Sequence, residues 1–400
     1  MIELRRIIEQ EIRERGPIPF SRYMELCLYH PEFGYYSRNA AQFGKAGDFY
    51  TSSDVHAVFG RLMARQFEEM WRVMGSPERI EIREFGPGRG LFAQDVLEWS
   101  EKKFPEFFRA LHYVLIEQSA QLRERIEQAL KRHIESRKAE ILEENAKPSA
   151  AKAASSSALT VATEVAPFQS MQPGHDVIAP TIVFANEFFD ALPVEIITTK
   201  GSLRIDARDG HFVENWVAAS GEELKFLDLY SIRPEGGERI EVPLQSVAAM
   251  RTLCDIERGF IVLIDYGYTR EEQLAGRHRG TVKAIRQHSV SASPYEAPGE
   301  QDITADVNFT ALAAVAEEAG STAQKLLTQS QFLMGIGEAN QFADAFEDCR
   351  LPQERAKVAM QLKHLVTPAG MGESFQVLVA TRGVEEAKIA KLAGLSFGRQ

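Results

Sequence analysis

The amino-acid sequence predicts an α/β fold with a doubly wound, mostly parallel sheet. Short apolar strands alternate with amphipathic helices, and a glycine-rich turn directly follows the first strand. The 400 residues are 44% hydrophobic and 26% charged, which is a globular composition and excludes a disordered or collagen-like chain. Strands that are apolar throughout are typical of parallel sheets, in which helices cover both faces. The predicted strands are Ile80–Phe85, His112–Glu117, Thr181–Ala185, Phe260–Asp265 and Phe375–Thr381.

The chain begins with a predicted helical and loop extension, residues 1–78. Its first amphipathic helix ends at Gly16, and a second helix runs from Ser21 to Tyr29. The following loop, Pro31–Asp54, is long, and long structured loops in compact domains are often functional. A third amphipathic helix is predicted over Val58–Met74.

Residues 79–400 form the predicted α/β domain, which two insertions interrupt. Its first helices are predicted over Leu91–Phe104 and Ala120–Ile134. Residues 135–174 pass from a charged run into an Ala/Ser-rich stretch that buries too little surface to offset its ordering entropy, so we expect a mobile insertion. Residues 194–242 contain short alternating segments separated by glycines, which predict a small antiparallel meander attached to the main sheet.

Charge and cysteine content exclude several classes of function. The formal net charge of -11 argues against non-specific nucleic-acid binding. No apolar run reaches the roughly 18 residues of a membrane span. The three cysteines lie far apart without C-x-x-C spacing, which predicts neither a disulfide framework nor a metal site. The charged start resembles neither a signal sequence nor a transit peptide, so the sequence predicts a cytoplasmic protein.

The turn after the first strand carries the strongest local signal, Glu84-Phe85-Gly86-Pro87-Gly88-Arg89-Gly90. Glycines allow the backbone to approach a ligand closely. A dinucleotide site would need a small residue where Leu91 stands, because there the helix packs tightly against the strand. The G-x-G-x-G spacing fits instead a turn that holds the amino-acid part of S-adenosylmethionine. A purely structural glycine turn is the alternative.

Acidic residues follow the second and third strands. Glu117 stands where α/β nucleotide-binding proteins place a carboxylate for the ribose hydroxyls, although it could instead cap the following helix. After the third strand, Glu187 and Asp190 lie within one turn, and a buried charge is costly unless it is paired or used. This pattern predicts a substrate cradle beside the ligand. The alternative is a buried Asn186 and Asp190 that only hold the turn together.

Together these motifs resemble the MidA family of methyltransferases, which includes arginine methyltransferases of mitochondrial complex I assembly. The resemblance covers about Gly16–Ile126 and Thr181–Arg382. It implies a Rossmann-like methyltransferase sheet and S-adenosyl-L-methionine as the cofactor. The segments that carry it are Gly16–Tyr36, Gly44–Gly60, Glu84–Gly90, Asn186–Glu195, Ile264–Tyr268, Ala297–Phe309 and Pro368–Leu378.

The resemblance also implies which residues bind the cofactor. The family's Gly-Asp-Phe-x-Thr-Ser loop lies near the cofactor, and here it includes Ser52, although the sequence alone equally allows a self-bonded turn. The extension 1–78 would then cover the cofactor site. The predicted cofactor-binding residues are Asp48, Phe49, Thr51, Glu84, Gly86, Gly88, Gly90, Glu117 and Asn186.

For catalysis we expect Glu187 first and Asp190 second to bind a substrate guanidinium. Such a carboxylate would draw the positive charge towards one end and leave the attacking nitrogen more nucleophilic. Glu195 stands close to the double-glutamate spacing of arginine methyltransferases, but no catalytic role is assigned to it. Asp265–Tyr268 is expected to face the same crevice.

The implied substrate is an arginine of a protein partner, with a subunit of the respiratory NADH dehydrogenase as the partner that the resemblance implies. A long connection containing His288 and Asp302–Asp306 is expected at the substrate entrance. The sequence does not predict the oligomeric state. Alternatives are a non-catalytic assembly factor on the same fold, a small-molecule methyltransferase and an α/β oxidoreductase. Leu91 argues against the oxidoreductase.

Overall fold

The computed structural model describes residues 2–38, 57–143, 179–286, 289–291, 293–338 and 340–397. The helices in these ranges are α1 (Ile2–Arg15), α2 (Phe20–Tyr29), α3 (Tyr35–Arg38), α4 (Ala57–Val73), α5 (Leu91–Lys103), α6 (Pro105–Ala110), α7 (Ala120–Ala129), α8 (Lys131–Glu135), α9 (Gly221–Tyr230), α10 (Leu244–Leu253), α11 (Arg270–Leu274), α12 (Phe309–Glu318), α13 (Gln329–Glu338), α14 (Ala343–Phe346), α15 (Pro352–Val366) and α16 (Glu386–Ile389). The strands are β1 (Ile18–Pro19), β2 (Ile80–Phe85), β3 (Leu111–Ile116), β4 (Ala139–Leu142), β5 (Thr181–Asn186), β6 (Glu195–Thr198), β7 (Gly201–Arg208), β8 (His211–Val217), β9 (Ile240–Val242), β10 (Gly259–Tyr268), β11 (Lys283–Arg286), β12 (Ser289–Val290), β13 (Asp302–Thr304), β14 (Val307–Asn308), β15 (Thr322–Ala323), β16 (Leu327–Thr328) and β17 (Phe375–Arg382).

The central sheet confirms the predicted α/β class. Its main strands follow the order β4-β3-β2-β5-β10-β17, and they are parallel as far as β10. Only the last strand of this series, β17, runs antiparallel, with Leu378 opposite Leu263 of β10. The strand order reverses between β2 and β5, and in such sheets ligands bind outside the carboxyl ends at that point.

Helices cover both faces of this sheet, as the continuous apolar strands predict. On one face Phe92 of α5 stacks on Phe184 of β5 with 4.5 Å between ring centroids. On the other face Leu312 and Val315 of α12 are buried with Leu263 of β10. Burying each of these side chains stabilises the fold by roughly 1.5–3 kcal/mol. In the part of the chain that the structure describes, no helix is long and apolar enough to cross a membrane.

A second, antiparallel sheet forms from β1, β7, β6, β9 and β8, where the meander 194–242 was predicted. It differs from the prediction in two ways: the sheet is separate from the main sheet, and the helix α9 stands between its strands β8 and β9 in the sequence. Strand β1 joins it by pairing Ile18 with Ile205. The apolar faces of α1 and α2 are buried against this sheet.

The predicted domain boundary at residue 78 does not follow the observed packing. Residues 2–38 pack mainly with the second sheet, whereas α4 packs on the main sheet. The reason is the apolar face of α4. Its residues Phe59 and Phe67 both contact the ring of Phe92 on α5, and Phe67 also contacts the ring of Phe184 on β5.

The predicted start of the insertion at residue 135 is also wrong. Residues 139–142 form β4, which extends the main sheet with Ala139 opposite Tyr113. The strand is short and lies in a charged run, so its composition does not reveal it. A break at Leu130 separates α7 from α8, where one helix over 120–134 was predicted. Residues 144–174 lie outside the described ranges, and their mobility stays a prediction.

Candidate active site

The carboxyl ends of β2, β3, β5 and β10 meet at one edge of the main sheet. Two connections lie side by side there: the glycine turn (residues 86–90) after β2 and the acidic turn (residues 186–193) after β5. The two turns touch, because a Cβ added at Gly86 would lie 2.9 Å from Cδ2 of Phe188. Most of the predicted site residues that the structure describes therefore lie within one region, at the strand-order reversal.

The glycine turn needs glycine for its backbone and leaves space beside it. Gly86, Gly88 and Gly90 have φ angles of +65°, +54° and +74°, which is the left-handed region that other residues rarely adopt. The turn closes through the Gly90 N–H, which donates to the Pro87 carbonyl at 2.9 Å. A Cβ at Gly88 would meet no atom of the described residues within 4 Å. Gly88 is thus the position where a ligand could approach the backbone.

Two carboxyl groups lie at the ends of β2 and β3. Glu84 is buried, and the Tyr113 hydroxyl donates to its Oε2 at 2.9 Å. Burial raises the pKa of Glu84 to about 8; the charge of Glu117 adds to this shift and the Tyr113 bond opposes it. Glu117 Oε1 accepts from the N–H of Ser119 at 2.8 Å, close to the start of α7. That bond matches the helix-capping alternative, and a carboxylate has lone pairs for further donors as well.

The acidic turn starts with a strained residue and a buried acceptor. Glu187 has φ of +51°, which is uncommon for a residue with a Cβ. Asn186 Nδ2 donates to Glu187 Oε1 at 3.2 Å, whereas Asn186 Oδ1 is buried with no hydrogen-bond donor among the described residues. Leaving a buried acceptor without a donor costs roughly 1–3 kcal/mol, so this atom suits a ligand N–H or O–H.

Asp190 and Asp265 form a buried carboxyl pair below the acidic turn. Asp265 Oδ2 accepts from the backbone N–H groups of Phe189 at 3.0 Å and Asp190 at 3.2 Å. Burial raises the pKa of Asp190 to about 6; the charge of Asp306 adds to this shift, and hydrogen bonds, the one from Tyr266 foremost, oppose it. Burial also raises the pKa of Asp265 well above its ordinary value, together with the negative charges of Asp190 and Glu187.

The N-terminal residues close one side of this region, with two tyrosines that the sequence analysis did not single out. The Tyr29 hydroxyl donates to the Ala191 carbonyl of the acidic turn at 2.9 Å. The Tyr36 hydroxyl donates to Asp302 Oδ1 at 3.1 Å. Burial, with the nearby carboxylates, raises the pKa of Tyr36, so its hydroxyl stays a donor. The tyrosine-rich end of Gly16–Tyr36 was the available signal.

Other residues named in the sequence analysis either lie outside the described ranges or belong to the second sheet. Asp48, Phe49, Thr51 and Ser52 lie outside the described residues, as does His288. Glu195 lies on β6, where Oε1 accepts from the Ser21 hydroxyl at 2.5 Å and Oε2 pairs with Arg204 at 3.6 Å. These contacts hold Glu195 between the N-terminal residues and the second sheet.

Comparison with known proteins adds independent findings. A family model described as "Putative S-adenosyl-L-methionine-dependent methyltransferase" matches residues 62–327. The protein arginine methyltransferase NDUFAF7 homolog, mitochondrial, of Drosophila melanogaster is 30% identical over 405 residues, which are 98% of this chain and 87% of that protein. Its human counterpart is 27% identical over 386 residues, 91% of this chain and 80% of that protein.

A crystal structure from Burkholderia thailandensis has the same fold over nearly the whole chain. That protein is bound to S-adenosyl-homocysteine, and its TM-score with this chain is 0.77 at 26% identity. The match covers 98% of this chain and 94% of the other. The ligand of that structure is the demethylated form of the cofactor that the sequence predicts.

The comparison corrects the predicted compartment. The fly and human relatives are labelled mitochondrial, so the cytoplasmic placement predicted from the sequence is wrong. That prediction depended partly on cysteines without disulfide spacing, and the structure has free thiols at Cys27, Cys254 and Cys349. Free thiols indicate a reducing environment, but they do not indicate which compartment provides it.

Proposed function

The chain belongs to the S-adenosyl-L-methionine-dependent methyltransferase family, and from this membership we propose that it methylates arginine side chains of a protein partner. The observation that carries the proposal is the contact between the two turns, where Phe188 of the acidic turn lies against Gly86 of the glycine turn. The names of the fly and human relatives, protein arginine methyltransferases, support arginine as the acceptor.

The described residues fit the cofactor. Among the described residues, no atom lies within 4 Å of a Cβ at Gly88, and no donor reaches the buried Asn186 Oδ1. We assign Gly88 and Asn186 to the amino-acid end of S-adenosylmethionine, and Glu117 to its ribose hydroxyls. Glu84 lies near the end of β2, where burial raises its pKa to about 8. When bound, S-adenosylmethionine supplies an activated methyl group.

The acidic turn then has the chemistry to hold a guanidinium. An arginine side chain is always protonated in proteins, because its pKa is above about 12. Glu187 and Asp190 accept its N–H groups and fix the orientation of the reacting nitrogen. Orientation of this kind is the main contribution a protein can make to a displacement reaction. Phe188 of the acidic turn packs against Gly86 of the glycine turn and so keeps the two turns together.

For the partner we propose a subunit of the respiratory NADH dehydrogenase, as the family resemblance implies. The net charge of -11 is compatible with a basic target segment. The tyrosines of the N-terminal residues and Asp302 would line the side from which the polypeptide enters.

Methylation of purified NADH dehydrogenase subunits with tritiated S-adenosylmethionine tests this proposal, with mass spectrometry to locate the modified arginine. Glu187→Gln keeps the shape of the side chain and removes its charge. We expect turnover to fall by roughly 10²-fold or more, the scale on which a positioned catalytic group contributes. The affinity for S-adenosylhomocysteine, measured by calorimetry, should stay within about twofold of wild type because Glu187 is assigned to the acceptor.

The matched control is Glu106→Gln, which removes one carboxylate from the exposed face of α6. This variant should retain wild-type turnover. Full activity of Glu187→Gln would contradict the catalytic assignment. An absence of methylated arginine with the wild-type enzyme would contradict the proposed substrate and favour a non-catalytic assembly role.

A further inference from the structure

The acidic turn has few backbone hydrogen bonds of its own, although the proposed chemistry depends on its shape. Within the turn, the Leu192 N–H donates to the Phe189 carbonyl at 3.2 Å. At its start, the Glu187 N–H donates to the Ile264 carbonyl of β10 at 2.9 Å. The position of Asp190 therefore depends on groups outside the turn.

The side chain of Asp265 supplies the missing acceptor. Its Oδ2 receives two consecutive backbone donors of the turn, the N–H groups of Phe189 and Asp190. Its Oδ1 receives the N–H of Tyr266 at 2.9 Å. Three donors in fixed places lock the plane of the carboxyl group.

Asp265 is itself on a rigid support. It lies on β10, which pairs with β5 on one side and with β17 on the other, where Gln376 stands opposite Asp265. The residue is 1% exposed. The backbone of Asp265 is therefore fixed by the central sheet, and sites built on strands are positioned more precisely than sites on loops.

The placement is costly for stability, which argues for a functional reason. Asp265 is buried beside two other acidic residues, Asp190 and Glu187, and its pKa is raised first by burial and then by the charges of these two residues. Glu187 keeps a left-handed backbone, a strain of roughly 1 kcal/mol or more that persists only when the surroundings hold it. Strain and perturbed titratable groups of this kind cluster at functional sites.

Resting on the proposed function, we propose that Asp265 is the positioning residue of the site: it does not touch the substrate but fixes the acidic turn so that Glu187 and Asp190 meet the guanidinium. A shift of about 1 Å in such groups is enough to cost on the order of 10²-fold in rate. The effect should therefore fall on turnover more than on cofactor affinity, because Asn186, which is assigned to the cofactor, lies at the end of β5, before the two N–H groups that Asp265 accepts.

Asp265→Asn and Asp265→Ala test this inference by hydrogen exchange and by kinetics. In Asp265→Asn one oxygen becomes an NH₂ group, which opposes a backbone donor whichever way the amide turns. We expect amide exchange over residues 186–193 to become at least about tenfold faster in both variants, while β5 keeps its protection. We expect kcat to fall at least about tenfold, with acceptor KM and S-adenosylhomocysteine affinity within about threefold.

Asp344→Asn is the matched control. Asp344 is also buried, at 2% exposure, but it lies on α14 and pairs with Arg65 of α4. Its substitution should lower the melting temperature without changing exchange over 186–193 or kcat.

Exchange over 186–193 that stays at the wild-type rate in Asp265→Ala would overturn the positioning role, whatever the kinetics show. An equal fall in S-adenosylhomocysteine affinity would also overturn it, because Asp265 would then act on the whole site. If the wild-type enzyme methylates no arginine, the proposed function fails, and the exchange and calorimetry still decide the role of Asp265.

Discussion

Single side chains decide how the two turns of the site fit together. Gly86 has no Cβ, and this allows Phe188 to pack against the glycine turn at a distance that any other residue would block. Asn186 presents a buried carbonyl oxygen to which no described residue donates, and Asp265 accepts from two backbone N–H groups of the acidic turn. The arrangement of the site therefore depends on a close approach at Gly86 and on buried polar atoms at Asn186 and Asp265.

Titration of Asp190 should make both activity and stability depend on pH. Burial raises its pKa from 3.8 to about 6, and the ionised form is the one that binds a guanidinium. We therefore expect kcat/KM to rise about tenfold per pH unit below this pKa and to level off above it. Stability should change in the opposite direction: because the folded state holds the proton more tightly, this contribution is complete below pH 3.8 and is lost as the pH rises through about 6.

A pH profile of kcat/KM for wild type and Asp190→Asn checks this prediction. The variant should have lower activity and should lack the acidic limb. If Asp190→Asn keeps the same limb, the titrating group is another carboxyl, and the Asp265 partner is the first to examine by the same profile.

At the scale of elements, the sequence predicted what is encoded locally. The span Ile80–Phe85 agrees with β2, because an alternating apolar pattern followed by a glycine turn is visible in neighbouring residues. Strand β1 has only two residues and exists through its pairing with Ile205 of β7, which no local pattern reveals. For the same reason the role of Asp265 could not be predicted: its bonds go to backbone N–H groups 75 and 76 positions away in the chain.

Strand β4 sets the limit for shortening the insertion. From the end of β4 to the start of β5 the chain must cross β3 and β2, a span of about 25 Å, which a flexible segment reaches with about 20 residues. Residues 143–144 and 175–180 remain in the shortened chain and count toward this length. We expect replacement of residues 145–174 by a Gly/Ser linker of about 12 residues to leave the fold intact, because loop closure changes slowly with length. Circular dichroism melting should show a shift of only a few degrees.

A second deletion that starts at residue 135 is the matched comparison. It removes β4 as well, exposes the edge of β3 and should lower the melting temperature much more. If the shorter deletion already prevents folding, residues 145–174 contribute to the core, and the prediction of a dispensable insertion is wrong.

At the scale of the whole molecule, three layers meet at one place. The main sheet supplies the glycine and acidic turns, the second sheet carries the N-terminal residues, and those residues return to the site through Tyr29 and Tyr36. Cofactor binding should therefore stabilise the whole fold, since the site joins parts of the chain that belong to different packing clusters.

The last prediction uses this linkage. A ligand that binds only the folded state at about 100 times its Kd adds roughly 2.7 kcal/mol, which for a chain of this length raises the melting temperature by about 3 °C. We expect this rise with S-adenosylhomocysteine and none with NAD, because Leu91 stands where a dinucleotide turn needs a small residue. Gly88→Val should abolish the rise.

Gly210→Val is its matched control: Gly210 also has a positive φ, +74°, and no described atom near its Cβ position, but it lies in the β7–β8 hairpin. Both variants strain the backbone, so loss of the ligand-induced rise in both would refer the effect to strain, whereas loss in Gly88→Val alone places the cofactor at the glycine turn.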